Sequence, residues 1–532
     1  MAKRIAYTFL FSLIITLVLC TNDLIYSFYN EYYIFDFRPK YLFYPFIYFL
    51  VTSFIKRLSL RNIALGWACL GSLVQLIHYQ YFGNHIQSTE FLLLSSNVSE
   101  IAESLGSELN KMILPVFTST ISFLLILFIS KKFEGKGLTF KNSSLIFPIA
   151  MIIHILVGFS YIYFANGKLR NWQTRELYPR SGEHSLHTFM KSTNFLFSGI
   201  IPKRFFGNHN DYLELSTPKI VENNPKRNVI LVFGESLRWD RLSLYGYSEK
   251  TTPFLDSLNT DSLVTYRKIF SGGTMTKVSF ATLLNRLKYP DTNQLVDGEN
   301  NLFKLAKDNG FNTSFISGQS KNEVETLIDL FRFENVDLYE NRTTLKNNYN
   351  LSGSYDMDIV KYIENCKFND NDNFILIQQR GSHSPYNYYS DDFNIFENPY
   401  DNTVSYTDSF LKRIYNYFRK VLGNDTYLIY VSDHGEFLGE DGKKGHGWIH
   451  PTIYEVPLVF LGLKRDDPFY QKAKSVRSHF ELSNLICNIL GYETDDPDSS
   501  TIYVNGSELD GLAGYMKVTM NGDSVTNRII FK

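Results

Sequence analysis

Long apolar runs crowd the N-terminal third of the chain and stop near residue 165, and no other feature constrains the fold as much. A run of about twenty apolar residues closes its own backbone hydrogen bonds as a helix and is long enough to cross a bilayer. Five stretches meet or approach that length, at 5–22, 41–55, 62–82, 112–130 and 145–164, the second being short and aromatic. Further spans follow the first and no small-residue cleavage site is evident, so a removable leader is not expected.

Translocating Lys and Arg in short loops is disfavoured, so those residues mark the inner side. Lys3 and Arg4 precede the first span, Lys56, Arg57 and Arg61 separate the second and third, and Lys131, Lys132, Lys136 and Lys141 separate the fourth and fifth. Between the third and fourth stand Glu90, Glu100, Glu103 and Glu108 against Lys111. The pattern predicts a cytoplasmic N-terminus, five crossings, and everything after residue 164 outside. With 53 Lys+Arg against 54 Asp+Glu, the net charge of -1 gives no basic excess for a nucleic-acid backbone, so nucleic acid is not an expected partner. Cys20 and Cys69 fall in apolar runs, and Cys366 and Cys487 lack the spacing of a zinc knuckle or a disulfide framework, so buried thiols are expected rather than a Cys366–Cys487 bridge.

From residue 228 onward short β-rich runs alternate with helical patterns, which predicts a mostly parallel sheet covered on both faces. Candidate strands are 228–233, 312–316, 374–378, 427–431 and 457–461. Tyr406, Phe410, Ile414, Tyr417, Phe418 and Val421 recur at helical spacing before Gly423, and further helices at 301–308 and 482–490 end at Asn309-Gly310 and Gly491. Three regions follow: a transmembrane domain over 1–165, an amphipathic linker over 166–215 suited to a membrane surface or to packing on the exported domain, and an exported α/β domain over 216–532.

In α/β sheets functional groups gather at the carboxyl ends of strands. Glu235 follows the run 228–233, Asp433 and His434 follow 427–431, His383 follows 374–378, and His446 sits in a Gly-rich loop. Carboxylates with imidazoles suit zinc or manganese better than copper or an iron–sulfur cluster. The turn Ser271-Gly272-Gly273-Thr274-Met275-Thr276 offers hydroxyls and bare amides, and a threonine hydroxyl becomes a nucleophile only when a metal or base lowers its pKa. Each cluster alone has a structural explanation: helix N-caps for Asp433, Ser236 and Thr274, surface positions for His383 and His446.

Taken together the strings Asn228-Val-Ile-Leu-Val-Phe-Gly-Glu-Ser236, Arg241-Leu-Ser-Leu-Tyr-Gly-Tyr247, Thr251-Thr-Pro253, Val431-Ser-Asp-His-Gly-Glu436 and Gly445-His-Gly447 resemble the phosphoethanolamine transferases of the alkaline phosphatase/sulfatase superfamily. The resemblance implies five membrane helices followed by a periplasmic sulfatase-like domain with a mostly parallel sheet, anchored in the inner membrane. It also implies one or two zinc ions on Glu235, Thr274, Asp433 and His434, with Thr274 as nucleophile. His383 and His446 match histidines that meet the substrate phosphate or a second zinc, Lys321 matches more loosely a lysine near the phosphoethanolamine group, and Glu100 lies in a string resembling a lipid-substrate motif. The donor implied is phosphatidylethanolamine, and the acceptor a lipopolysaccharide core sugar or lipid A.

Gly272 stands where members that modify lipid A commonly carry a Cys, and their several disulfides cannot form here, which favours a core-sugar acceptor. A phosphoglycerol transferase acting on phosphatidylglycerol is the alternative, sharing the spans, the threonine and a similar metal site. A sulfatase would need a Cys or Ser in a C/S-x-P-x-R string, which Thr274 lacks, and a non-catalytic scaffold would not need the intact quartet.

Overall fold

The computed structural model describes residues 1–35, 39–88, 90–93, 109–140, 142–164, 183–206, 215–221, 227–261, 263–291, 298–321, 324, 333–352, 355–368, 372–511, 513–521 and 524–530. The chain divides into two compact units, Met1–His209 with Leu438–Lys444, and Asn210–Phe437 with Gly445–Lys532.

In the first unit the apolar runs form α1 (Ala2–Tyr29), α2 (Pro39–Ser53), α3 (Leu58–Phe82), α4 (Leu109–Lys132) and α5 (Ile146–Phe164). Four of these, α1, α3, α4 and α5, are long and apolar enough to cross a membrane, while α2 is a shorter apolar helix. With 15 residues and Pro45 inside it, α2 reaches about 22 Å at about 1.5 Å per residue, against a hydrocarbon core of about 30 Å. All five expected stretches are thus helices, four of them long and α2 the short one already marked out by its sequence. Outward-facing Ile149, Ile152, Ile153 and Leu156 leave α5 apolar on its exposed side, as lipid requires.

Buried polar groups tie the helices together, as is common where apolar surface alone gives no preference between helix and lipid. Arg61 Nε donates to Ser130 Oγ at 3.0 Å, and Ser122 Oγ donates to Asn22 Oδ1 at 2.7 Å. A further helix, α6 (Ser185–Phe195), comes from the stretch read as a linker. Its Leu186 and Phe189 join the core of Phe11, Leu65 and Ala68, and Asp23 on α1 accepts from Ser185 N at 2.7 Å and Ser185 Oγ at 2.9 Å. This portion of 166–215 thus packs among the membrane helices.

The second unit is built on seven strands: β1 (Asn228–Gly234), β2 (Val264–Phe270), β3 (Asn312–Ser317), β4 (Leu338–Glu340), β5 (Asn373–Gln378), β6 (Thr426–Ser432) and β7 (Glu455–Leu461), in the order β2-β7-β6-β1-β5-β3-β4. Pairings among β6, β1, β5, β3 and β4 are parallel, and β7 pairs antiparallel with both β6 and β2. All five expected strands are present, and the sheet is parallel through its centre and mixed overall. The central strands are buried along their whole length, which explains their uninterrupted apolar sequence.

Three helices matter for the site and its support. They are α7 (Pro253–Thr260), α8 (Thr276–Leu284) and α9 (Pro399–Val421), the last burying Phe410, Ile414 and Phe418. Beyond them lie α10 (His479–Ile489) and an antiparallel sheet of β8 (Thr501–Asn505), β9 (Tyr515–Asn521) and β10 (Ser524–Ile530). All four cysteines are free thiols.

Candidate active site and metal centre

Parallel pairing of β1 with β5 and β6 brings their carboxyl ends level, with Gly234 opposite Ser432 and Phe233 opposite Gln378. The residues just past those pairs are then forced together. Asp433 N donates to Gly234 O at 3.0 Å, Gln379 N to Phe233 O at 3.0 Å, and Ser382 N to Glu235 O at 2.9 Å. The loop after β5 closes on Glu235 so tightly that a Cβ on Gly381, at φ 56°, would lie 2.8 Å from Glu235 O. Ser236 is held at φ 56°, a conformation rare for a residue with a side chain, by its N–H donating to Asp433 Oδ1 at 2.8 Å.

Glu235, Asp433 and His434 are buried, each offering one ligand atom within 4.8 Å of the others. His434 Nδ1 lies 3.0 Å from Gly435 O, so it carries the proton and leaves the lone pair on Nε2. That nitrogen stands 3.2 Å from Asp433 Oδ2 and 3.7 Å from Glu235 Oε1. Burial pushes the Asp433 carboxyl above the usual carboxylate range, against backbone donors on Ser236 and His434 that favour its charged form. Two buried acids and an imidazole lone pair turned to one point fit a divalent metal.

The loop between β2 and α8 carries Thr274. Its anchor is His479: Gly272 N donates to His479 Nδ1 at 3.1 Å, and His479 Nε2 lies 3.0 Å from Ser432 O. Burial holds this imidazole down to about 4, so it stays neutral with its proton on Nε2 and ties the loop to the end of β6. A Cβ on Gly272 would lie 2.3 Å from Thr282 Cβ, so α8 leaves no room for a cysteine there. Met275 rather than Thr274 occupies the N-cap of α8. The Thr274 hydroxyl is buried and, among the described residues, has no hydrogen-bond partner, a cost of about 1–3 kcal/mol unless something else satisfies it.

Of the other expected residues, His446 stacks on His434 with ring centroids 4.1 Å apart. His383 is half-buried on the loop that binds the Glu235 backbone, its Nδ1 2.6 Å from Ser384 O. Lys321 is exposed, with its N–H donating to Thr343 Oγ1 at 3.1 Å. Glu100 lies outside the described residues.

Sequence reasoning missed three groups. Thr276 Oγ1 lies 3.2 and 3.3 Å from the two Glu235 carboxylate oxygens and 3.2 Å from His434 Nε2. Gln319 Nε2 lies 3.4 Å from Glu235 Oε2, and His479 braces the loop. Gln319 had a usable signal, since it closely follows the carboxyl end of β3.

A sheet parallel through its centre, with an acid–acid–imidazole cluster that could hold a metal ion at the carboxyl ends of its central strands, is the arrangement of an alkaline phosphatase-like enzyme domain. Residues 227–492 match the family model described as Sulfatase. The chain belongs to that family, among the phosphoethanolamine transferases of the alkaline phosphatase/sulfatase superfamily.

Among its relatives, phosphoethanolamine transferase EptA of Helicobacter pylori is 26% identical over 394 residues, 68% of this chain and 70% of that protein. EptA of Escherichia coli is 26% identical over 309 residues, 51% of this chain and about half, 54%, of that protein. Phosphoethanolamine transferase EptC of Escherichia coli is 24% identical over 498 residues, 85% of this chain and 84% of that protein. The integral membrane protein lipooligosaccharide phosphoethanolamine transferase A of Neisseria meningitidis shares the fold, with a TM-score of 0.57 at 21% identity over 92% of this chain and 95% of that one.

Proposed function

We propose that this protein transfers phosphoethanolamine from phosphatidylethanolamine to a lipopolysaccharide acceptor, a core sugar or lipid A, through a covalent phosphothreonine on Thr274. The observation that carries this reading is the convergence of Glu235, Asp433 and His434 beside a loop whose buried Thr274 hydroxyl has no hydrogen-bond partner among the described residues. Relatives that span most of the chain are named for phosphoethanolamine transfer.

Glu235, Asp433 and His434, with Thr274 as the hydroxyl ligand, are the residues that would hold one or two zinc ions. Bound there, zinc would lower the pKa of the hydroxyl and neutralise charge growing on the phosphoryl oxygens. Thr274 Oγ attacks phosphorus, the P–O bond to diacylglycerol breaks, and the threonine proton ends on the diacylglycerol oxygen. An acceptor hydroxyl then attacks the same phosphorus, the bond to Thr274 breaks, and a proton returns to Oγ. His446 and His383 are assigned to the phosphoryl oxygens, Lys321 and Glu100 to the phosphoethanolamine head group. In keeping with the loop charges, the N-terminus is assigned to the cytoplasm and the second unit to the periplasm, where the lipid donor is met at the membrane surface.

Thr274→Ala should abolish transfer, a loss of at least about 1000-fold, since it removes the attacking oxygen. Purified full chain is incubated with head-group-labelled phosphatidylethanolamine or phosphatidylglycerol, and label on the protein is read by mass spectrometry. Label from phosphatidylethanolamine, confined to Thr274 and absent from the variant, is the expected result. Transfer retained by Thr274→Ala overturns the mechanism, and label from phosphatidylglycerol alone makes the enzyme a phosphoglycerol transferase.

A further inference from the structure

Thr276 begins α8, a helix whose residues from Val278 to Leu284 are all buried, so its hydroxyl sits on a fixed support. It does not serve the helix end, because the cap position belongs to Met275 and no side-chain cap bond forms there. Instead its oxygen touches Glu235 through both carboxylate oxygens at 3.2 and 3.3 Å and His434 through Nε2 at 3.2 Å, and its hydroxyl also favours the charged form of the third ligand-type group, Asp433.

A hydroxyl has one proton to give. Glu235 accepts only, and His434 Nε2, with the ring proton on Nδ1, also accepts. One proton thus lies among several acceptors, and it is shared only while their lone pairs are free. A dication on Nε2, Asp433 and one Glu235 oxygen would occupy those lone pairs and leave the second Glu235 oxygen as an acceptor for the hydroxyl. The hydroxyl would then hold that oxygen, favouring one-oxygen binding of a metal by the Glu235 carboxylate.

We propose that Thr276 is a positioning residue that orients Glu235 and His434 for the metal and holds Glu235 to one-oxygen binding, while Thr274 remains the group that is phosphorylated. This rests on the metal reading of the site given above. Full-length wild type, Thr276→Val and Thr276→Ser are purified metal-free in detergent. Zinc affinity is measured by competition with a chromogenic chelator, and the metal-free melting temperature is recorded beside it.

Valine keeps the shape without the proton, so it should weaken zinc binding ~10- to 100-fold, the usual cost of losing a group that orients a ligand. Serine should stay within about threefold of wild type, and the metal-free melting temperatures of all three should agree within about 2 °C. Valine binding within about threefold of wild type overturns the proposal, as does a metal-free melting temperature that falls together with the affinity. Wild type that binds no zinc overturns the metal reading itself, a result separate from an unaffected valine variant.

Discussion

His479 keeps the Thr274 loop against β6 only while its Nδ1 is free to accept from Gly272 N. Burial lowers its pKa from 6.5 to about 4, so between those values the unfolded chain binds a proton that the folded chain does not. Stability from this group is complete above pH 6.5 and is lost as the pH falls through about 4, with a full size of about 3 kcal/mol. His479→Gln does not titrate, so the melting temperature of wild type should exceed that of the variant most near pH 7.5, and the gap should shrink toward pH 4.5. A gap that does not change with pH would show that this proton has no role. Glu235, Asp433 and His434 were legible in the sequence because each directly follows an uninterrupted apolar run. The roles of Thr276, Gln319 and His479 were not, because their partners lie 41, 84 and 207 residues away: Thr276 is one of several hydroxyls in its turn, Gln319 offers only its place after β3, and nothing local marks His479.

At the level of elements, α7 takes its N-terminal cap from another helix. Thr252 precedes it without a side-chain cap bond, and Asp408 on α9 accepts from Phe254 N at 2.9 Å and Leu255 N at 3.0 Å. Burial, opposed by those two donors, raises the Asp408 carboxyl from 3.8 to about 7. Here the folded chain binds the extra proton, so the contribution is complete below pH 3.8 and is lost as the pH rises through about 7, again on the order of 4 kcal/mol. Asp408→Asn keeps one acceptor and removes the titration. Melting temperatures of the two proteins should therefore converge, or cross, as the pH rises from 4 to 7.5, and parallel curves would refute the assignment. The spacing that predicted α9 also shows why the cap went unseen: Asp408 lies within that pattern, and only packing reveals the helix end beside it. Central strands were readable for the same local reason as the acids. The edge strand β2 was not, since Thr265, Arg267 and Lys268 break its apolar run at the end of the strand order, where β7 is its neighbour among the described strands of the sheet.

For the whole molecule, the side of the membrane on which the candidate site works turns on α2. Without it, α1, α3, α4 and α5 cross four times and return the second unit to the side of the N-terminus. The charges require otherwise: Lys56, Arg57 and Arg61 after α2 and Lys131, Lys132, Lys136 and Lys141 after α4 share a side with Lys3 and Arg4 only if α2 crosses. Its shortfall of about 8 Å is within what local thinning and flanking residues absorb at fractions of a kcal/mol per Å, and Lys56 follows its C-terminal end, where its stem can reach the interface. Single cysteines at exposed Lys136 and Lys420, placed in a Cys366→Ser background, decide the matter with a membrane-impermeant maleimide on intact spheroplasts. Lys420→Cys should label before lysis and Lys136→Cys only after it, which puts five crossings between the N-terminus and the metal centre. Protection of Lys420→Cys until lysis would mean that α2 lies short of the far interface, and a periplasmic transferase would then be impossible for this chain.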